Sequence, residues 1–563
     1  VLIYYVKSVC YANFVSCLLS GYFKSRNRQT IHNIRLYISY RSSELDTYQK
    51  DLLNETLASF SVATGVITLG QSISAYKTLG FFGRLNYDYQ GKYLFEVSMR
   101  SDGSSRFAPD HRWAAFPSAS AGWRISEEAF FEPLSNVWNN FKLRVSMGSL
   151  GNQQVSNYAY INQITTDNEM SYTFDGKNKA YYASVSAPIS SGLTWETVTT
   201  YDVGLDWGFL NNRLSIVADG YIRDTKNMLT TSLTLPSVYG ASTPKANCAD
   251  LRTAGYEFSV NWNDRFTLAG SPFRYGVQAG IGDYVTEITK YYNPTKQISS
   301  YYEGMTLGEI WGFSVDGLFK TDKEAAEYQA QINDKAVNQR VYNSKGSGLN
   351  SLRAGDVHFL DLDGDNVIGR GDGTVDNPGD LRIIGNSVPR YHYLFRFNFN
   401  WKGIDLSTFF QGIGKAHWFP AADQSSYDFW GPYAFPSTSF IHEDFSANVW
   451  SEENRNAYFP RPRGYQAYSG GALAEVNDRY LQDVSYLRFK NLTVGYTLPV
   501  AKKYIDKIRI YVSGENLWYW SPLKKYSKTI DPELAFTSGT YVNNSGTGYS
   551  YSRIFSFGAE ILF

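Results

Sequence analysis

Apolar and polar residues alternate along most of the chain. Leu85, Tyr87 and Tyr89 oppose Arg84, Asn86 and Asp88, and after Gln90-Gly91-Lys92 the residues Tyr93, Phe95, Val97 and Met99 oppose Glu96, Ser98 and Arg100. Tyr201, Val203, Leu205, Trp207 and Phe209 face away from Asp202, Gly204, Asp206 and Gly208. Tyr391, Tyr393, Phe395, Phe397, Phe399 and Trp401 oppose His392, Arg396, Asn398 and Asn400. The last residues put Phe555, Phe557, Ala559, Ile561 and Phe563 on one face and Ser556, Gly558 and Glu560 on the other. A period of two is the signature of a strand with one apolar face. Counted this way, from 34–41 to the terminal run, the chain holds about 14 strands. A phase change near Lys490-Asn491 reads as a bulge.

The runs are about 9–11 residues long, enough to cross a bilayer at a tilt, whereas a strand of a soluble domain averages about 5–6. Their connections alternate in length. Short ones fall at 90–92, 210–212, 265–273, 402–403 and 499–507, with 125–139 as the longer exception. Long ones fall at 101–112, 149–197, 224–253, 288–389, 414–485 and 518–552. Short turns on one side and long loops on the other are expected of an all-β, antiparallel transmembrane β-barrel of the bacterial outer membrane. A soluble sandwich has no reason to keep that parity, and no blade period appears.

Composition supports this reading. Aromatic residues are 17% of the chain, more than a soluble domain needs and in keeping with interfacial girdles. No apolar run approaches the ~18 residues of a membrane helix, so any crossing is by strands. Fifty-three basic residues balance 53 acidic ones, which gives nucleic acid no footprint to bind. Cys10, Cys17 and Cys248 have neither even pairing nor metal spacing, and the six His are scattered. No nucleophile elbow, phosphate loop or dinucleotide fingerprint occurs, so no enzyme is expected. Residues 1–33 keep no clean period and stay unassigned, as an irregular or non-native segment; the barrel is assigned to 34–563.

Two stretches carry candidate chemistry. Asp361, Asp363 and Asp365 stand at the first, third and fifth positions of a calcium-type loop, with the Val367 carbonyl at the seventh and Asp372 at the twelfth. The alternatives are a structural Ca2+ site and an Asp/Gly turn without metal. Residues 415–465 are rich in rings, among them Trp418, Tyr427, Trp430, Tyr433 and Trp450. In an external loop such rings meet a sugar face or a protein lid, or pack on one another. Thr321–Gln331 reads as a short helix within a loop.

Several motifs resemble the SusC/RagA-type TonB-linked outer-membrane transporters over residues 34–563. They include Arg100-Ser101-Asp102-Gly103-Ser104-Ser105-Arg106-Phe107, Phe116-Pro117-Ser118, Gly148-Ser149-Leu150-Gly151-Asn152-Gln153 and Leu193-Thr194-Trp195-Glu196. Asp361-Leu362-Asp363-Gly364-Asp365, Ile384-Gly385-Asn386, Tyr486-Leu487-Arg488-Phe489-Lys490-Asn491 and Asp531-Pro532-Glu533 continue the set. The resemblance implies a barrel of about 22 strands, an N-terminal plug with a TonB box, and a capping SusD-like surface lipoprotein. It also implies import of oligosaccharides or peptides across the outer membrane of a Gram-negative, Bacteroidetes-type bacterium. About eight strands and the plug, through which TonB would act, are then expected to lie outside this sequence. Gly558, Ile561 and Phe563 fit the spacing that the family presents to the outer-membrane insertion machinery. The competing readings are a complete, smaller porin and a soluble surface carbohydrate-binding β protein.

Overall fold

The computed structural model describes residues 10–17, 30–49, 67–162, 164–167, 182–185, 189, 192–231, 238, 243–340, 350–420, 427–430, 433, 445–462, 471–499, 505–536 and 551–562. Fifteen strands form one sheet in simple sequence order, with β1 and β15 at its ends. They are β1 (Cys10–Cys17), β2 (Thr30–Gln49), β3 (Ile67–Tyr89), β4 (Tyr93–Ser104) and β5 (Trp113–Arg124). Next come β6 (Trp138–Asn152), β7 (Glu196–Phe209), β8 (Leu214–Thr231), β9 (Lys245–Leu268) and β10 (Ser271–Lys290). The set closes with β11 (Arg390–Trp401), β12 (Ile404–Lys415), β13 (Tyr486–Leu498), β14 (Lys507–Trp520) and β15 (Ile554–Leu562). The registered pairs are antiparallel.

Every strand expected from alternation is present, and β1 is an additional one within the unassigned opening stretch. The lengths correct the 9–11 residue expectation: β3 has 23 residues and β9 has 24. In β9 only Tyr256–Trp262 alternates cleanly, while the preceding Lys245–Gly255 does not. Alternation is enforced where one face meets lipid and is released where a strand continues beyond the bilayer. The short turns are also tighter than expected at 265–273, where only Ala269 (φ 47°) and Gly270 (φ 74°) separate β9 from β10. Lys402 (φ 48°) and Gly403 (φ 82°) join β11 to β12 in the same way, both in the left-handed region that two-residue hairpins require. The predicted bulge is a register shift between Phe489 and Asn491. The helix is α1, Asp322–Gln331, started by Thr321, whose hydroxyl accepts from the Glu324 N–H at 3.1 Å.

The molecule divides into two compact units. The first comprises Val1–Ala129, Lys142–Val203 and Ile222–Arg252; the second comprises Phe130–Phe141, Gly204–Tyr221 and Thr253–Phe563. In each, the apolar row of the strands is exposed, as with Phe95, Val97 and Met99 in the first and Ile510, Val512 and Phe557 in the second. Such rows suit lipid and would be costly in water. Aromatics gather near the short turns. Tyr93 stacks on Trp123 at 6.4 Å in the first unit; in the second, Trp138 stacks on Phe209 at 5.5 Å and Phe273 on Phe399 at 5.6 Å. This is the girdle of an interface.

Candidate functional site

The face opposite the exposed apolar row is polar in both units. In the first unit, Arg84 pairs with Glu96 and Arg100 with Asp102, and Ser98 and Ser118 share a hydrogen bond of 2.9 Å. A cleft of ≈ 620 Å³ opens there, lined by Arg100, Asp102, Ser118, Ser146, Gln153 and Trp195 among others. In the second unit a cleft of ≈ 600 Å³ is lined by Asp219, Tyr221, Glu257, Ser259, His392 and Gln411 together with Leu394 and Phe409. Both signs of charge line the first recess, carboxylates with His392 line the second, and hydroxyls line both. Such walls suit polar solutes in a water-filled lumen.

Above the polar face of the first unit, separate motifs meet. Phe107, Phe116, Leu193 and Trp195 form one buried cluster. The Trp195 indole N–H donates to the Arg112 carbonyl at 2.8 Å, and its ring lies 5.3 Å from Phe107 and 5.5 Å from Phe116. A Cβ at Gly151 would stand 2.0 Å from the edge of the Phe116 ring, so any side chain there must push that ring aside. Arg106 donates to the Asn157 side chain at 2.9 Å and to the Gln153 carbonyl at 3.2 Å, and covers the Tyr76 ring at 3.9 Å.

The second unit brings Tyr486–Asn491 to Asp531-Pro532-Glu533. Arg488 is buried and pairs with buried Asp531, and its Nε lies 3.0 Å from Glu533 but off the line of a hydrogen bond. Lys490 reaches both Glu533 oxygens at 3.0 Å. The guanidinium sits 4.7 Å from the Tyr519 ring centre and 5.2 Å from that of Tyr551. Sequence reading recognised both motifs, yet 43 residues separate Arg488 from Asp531, and nothing in the spacing pairs them.

The aromatic stretch corrects an expectation. Trp418, Trp430, Tyr433 and Trp450 are all buried in clusters within the loops, so they present no ring face to a sugar or lid. Their polar tips turn inward: Trp430 donates to the Pro420 carbonyl at 3.2 Å and the Tyr433 hydroxyl to the Pro460 carbonyl at 2.6 Å. Burial holds the Tyr433 phenol well above its usual range. Loops this long need a core of their own, and the rings supply it. The side chain of Tyr427 lies outside the described residues.

The Asp loop is assembled differently from its sequence order. Asp361 and Asp363 converge with Asp380, their nearest carboxylate oxygens within 4.8 Å of one another. Asp380 is fully buried and was missed because it stands outside the twelve-residue spacing. Asp365 and Asp372 lie outside that group: Asp365 accepts from the Val367 N–H at 2.7 Å, and Asp372 from the Thr374 hydroxyl at 2.7 Å. Asp361 accepts from Gly364 N–H and Asn366 N–H, and Asp380 from Leu362 N–H and Gly369 N–H, all within 2.6–2.8 Å. Asp363 is held above the usual carboxylate range, first by desolvation and then by the neighbouring carboxylates, against one opposing backbone hydrogen bond. The three carboxylates are the right donor type for a hard divalent cation but supply only part of the roughly six to eight oxygens calcium takes.

On β15, Gly558 faces Tyr511 of β14, and a Cβ at Gly558 would fall inside that ring. Ile561 is exposed on the apolar row, and Phe563 lies outside the described residues.

Comparison with known proteins adds an independent line. The family model described as TonB dependent receptor-like, beta-barrel, matches residues 20–517. The TonB-dependent receptor SusC of Bacteroides thetaiotaomicron is 30% identical, over 82% of this chain and 42% of the relative. The TonB-dependent receptor P3 of Formosa agariphila is 25% identical, over 98% of this chain and 53% of the relative. Among solved structures, the RagAB peptide importer in its closed-closed state superposes with a TM-score of 0.71 at 21% identity, over 98% of this chain and 55% of that one, which speaks to fold alone. The chain thus spans about half the length of the curated relatives it matches.

Proposed function

The chain belongs to the TonB-dependent receptor-like β-barrel family, of the SusC/RagA type, and on that premise we propose that it forms barrel wall and external loops of an outer-membrane nutrient importer. The observation that carries the reading is the division of the sheet. One face is an exposed apolar row with aromatic girdles, and the other is a polar face with recesses of several hundred Å³. Substrates in this reading are oligosaccharides or peptides. A SusD-like lipoprotein closes the external end, and TonB acts through a plug that precedes this region. The residues here do no covalent chemistry; they supply the wall, its polarity and the loop cores that hold the external face in shape.

The outer membrane of a Bacteroidetes-type bacterium is the proposed location, with Gly558 and the terminal strand presented to the insertion machinery. A divalent cation is proposed to bind at Asp361, Asp363 and Asp380. The test is deletion of the natural gene followed by uptake of labelled oligosaccharides and peptides into intact cells. Loss of uptake of one class, restored by the gene only in cells with working TonB, is the expected result. Uptake unchanged by the deletion, or release of the protein from membranes by carbonate without detergent, overturns the reading.

A further inference from the structure

The connection 125–139 is the long exception among the short turns, and a hairpin alone does not need its length. Its second half is apolar: residues 129–137 hold no basic residue and a single acidic one, Glu132. Ala129–Leu134 is a short 3-10 turn. Phe131 is 3% exposed, while Phe130, Leu134 and Val137 are 67%, 52% and 59% exposed. Three large apolar side chains therefore stand out from one turn, and a fourth is packed away.

The packing of Phe131 fixes where the turn lies. Its ring meets Trp138 edge-on at 5.1 Å and lies 6.2 Å from Phe141. Phe141 belongs to the apolar row of β6 that includes exposed Val145. It stacks on Trp207, from the apolar row of β7, at 6.3 Å. The turn is thus folded against the apolar side of the wall, beside the girdle pair Trp138 and Phe209. Hydrogen bonds hold it there. The Leu210 N–H donates to the Val137 carbonyl at 2.7 Å, and the Val137 N–H to that of Leu134 at 3.1 Å. Asn139 Nδ2 donates to the Ser135 carbonyl at 2.6 Å, and its Oδ1 accepts from the Asn211 N–H. A turn so fixed could have sheltered its apolar side chains and instead holds three of them out.

We propose that residues 130–137 are an interfacial foot: Phe130, Leu134 and Val137 enter the headgroup–acyl boundary of the leaflet beside the short turns. A lipid surface is the partner these features fit. The patch is continuous with the aromatic girdle, whose place is that boundary. Three side chains offer far less than the ~800 Å² that each side of a stable protein interface buries, whereas lipid closes around an apolar surface of any size. With no Lys or Arg in 129–137 the attraction is apolar, so neutral and anionic headgroups serve equally. A segment outside the strands then helps to set the depth of this end of the sheet. The foot presupposes the membrane-barrel reading, and a label at Val145 separates the two.

The experiment attaches a nitrobenzoxadiazole fluorophore to single cysteines at Phe130, Leu134, Val137, Val145 or Tyr292. It uses the full-length natural protein, its own cysteines changed to Ser, in phosphatidylcholine bilayers. The quenchers are lipid nitroxides, placed high or low on the acyl chain, and aqueous iodide. Labels at Phe130, Leu134 and Val137 should lie about 5–10 Å inside the headgroups, quenched more by shallow nitroxides than by deep ones and little by iodide. Val145, in the wall, should favour deep nitroxides, and Tyr292, in a loop, iodide. Adding phosphatidylglycerol should change nothing. Phe130→Ser with Leu134→Ser should open the Val137 label to iodide and leave Val145 as it was, while Phe130→Trp with Leu134→Met should keep Val137 in lipid. Foot labels as open to iodide as Tyr292, with Val145 still in lipid, overturn the foot alone. Quenching of all three by neither agent marks a protein contact and overturns it too. A Val145 label open to iodide overturns the foot together with the barrel reading.

Discussion

Replacing Asp531 by Asn removes the charge that neutralises Arg488 while keeping the side chain's shape. The Arg488 and Asp531 side chains are 2% and 3% exposed, so the guanidinium cannot turn to water. Breaking a buried pair by deleting one partner costs about 3–5 kcal/mol. Glu533 stays 3.0 Å from Arg488 Nε but is shared with Lys490 at 3.0 Å, so the lower end, about 3 kcal/mol, applies. The loss is local, because the pair holds residues 521–536 against β13. Hydrogen exchange read by mass spectrometry on the detergent-solubilised full-length protein reports it directly. An opening made about 3 kcal/mol easier speeds exchange of the 523–534 amides roughly a hundredfold. The paired change Arg488→Met with Asp531→Leu leaves no buried charge of its own and should recover most of that loss. Exchange in Asp531→Asn within about threefold of the parent, or a double variant as damaged as the single, refutes the reasoning.

Three further outcomes follow from particular contacts. Gly558→Ala should displace the Tyr511 ring and lower the temperature of heat-induced gel-mobility change, at about 1–3 kcal/mol; adding Tyr511→Ser should restore it, and failure to do so would point to recognition of Gly558 during insertion. Gly151→Ala should force Phe116 away from Trp195 and cost a similar amount, read as faster exchange at 193–195, with unchanged exchange contradicting the packing. Burial holds His358 and His417 below their ordinary 6.5, so between that value and their lowered folded ones the folded loops bind fewer protons than the unfolded chain; stability present above about pH 6.5 is lost as pH falls below it through the lowered values, and exchange at 384–387, where His417 accepts from the Asn386 N–H at 3.2 Å, should rise on acidification in the parent and not in His417→Gln, with an equal rise in both refuting the assignment.

The barrel wall was legible because lipid on one face and water on the other impose a two-residue period that few other environments enforce. Phe95, Val97 and Met99 show it, and so does the bulge at Lys490. The strands' true lengths were hidden where that constraint lapses, as in Lys245–Gly255. The loops were legible as motifs but not as partners. Arg488 and Asp531 were both singled out, and their pairing depends on tertiary closure that no local pattern encodes. Trp418 and Trp430 show why composition misleads in loops: a ring count cannot separate rings that build a core from rings that meet a ligand. Asp380 shows the same limit for the acidic loop, since a carboxylate from outside the spacing completes the group.

The central claim is that alternate residues of these strands face lipid and lumen. Spin labels placed singly at Phe95, Glu96, Val97, Ser98, Met99 and Arg100, in full-length protein reconstituted in bilayers with Cys10, Cys17 and Cys248 changed to Ser, test it most directly. The account predicts that labels at Phe95, Val97 and Met99 collide readily with oxygen and little with a water-soluble nickel chelate, while Glu96, Ser98 and Arg100 show the reverse. Equal access of the chelate to all six positions would contradict it.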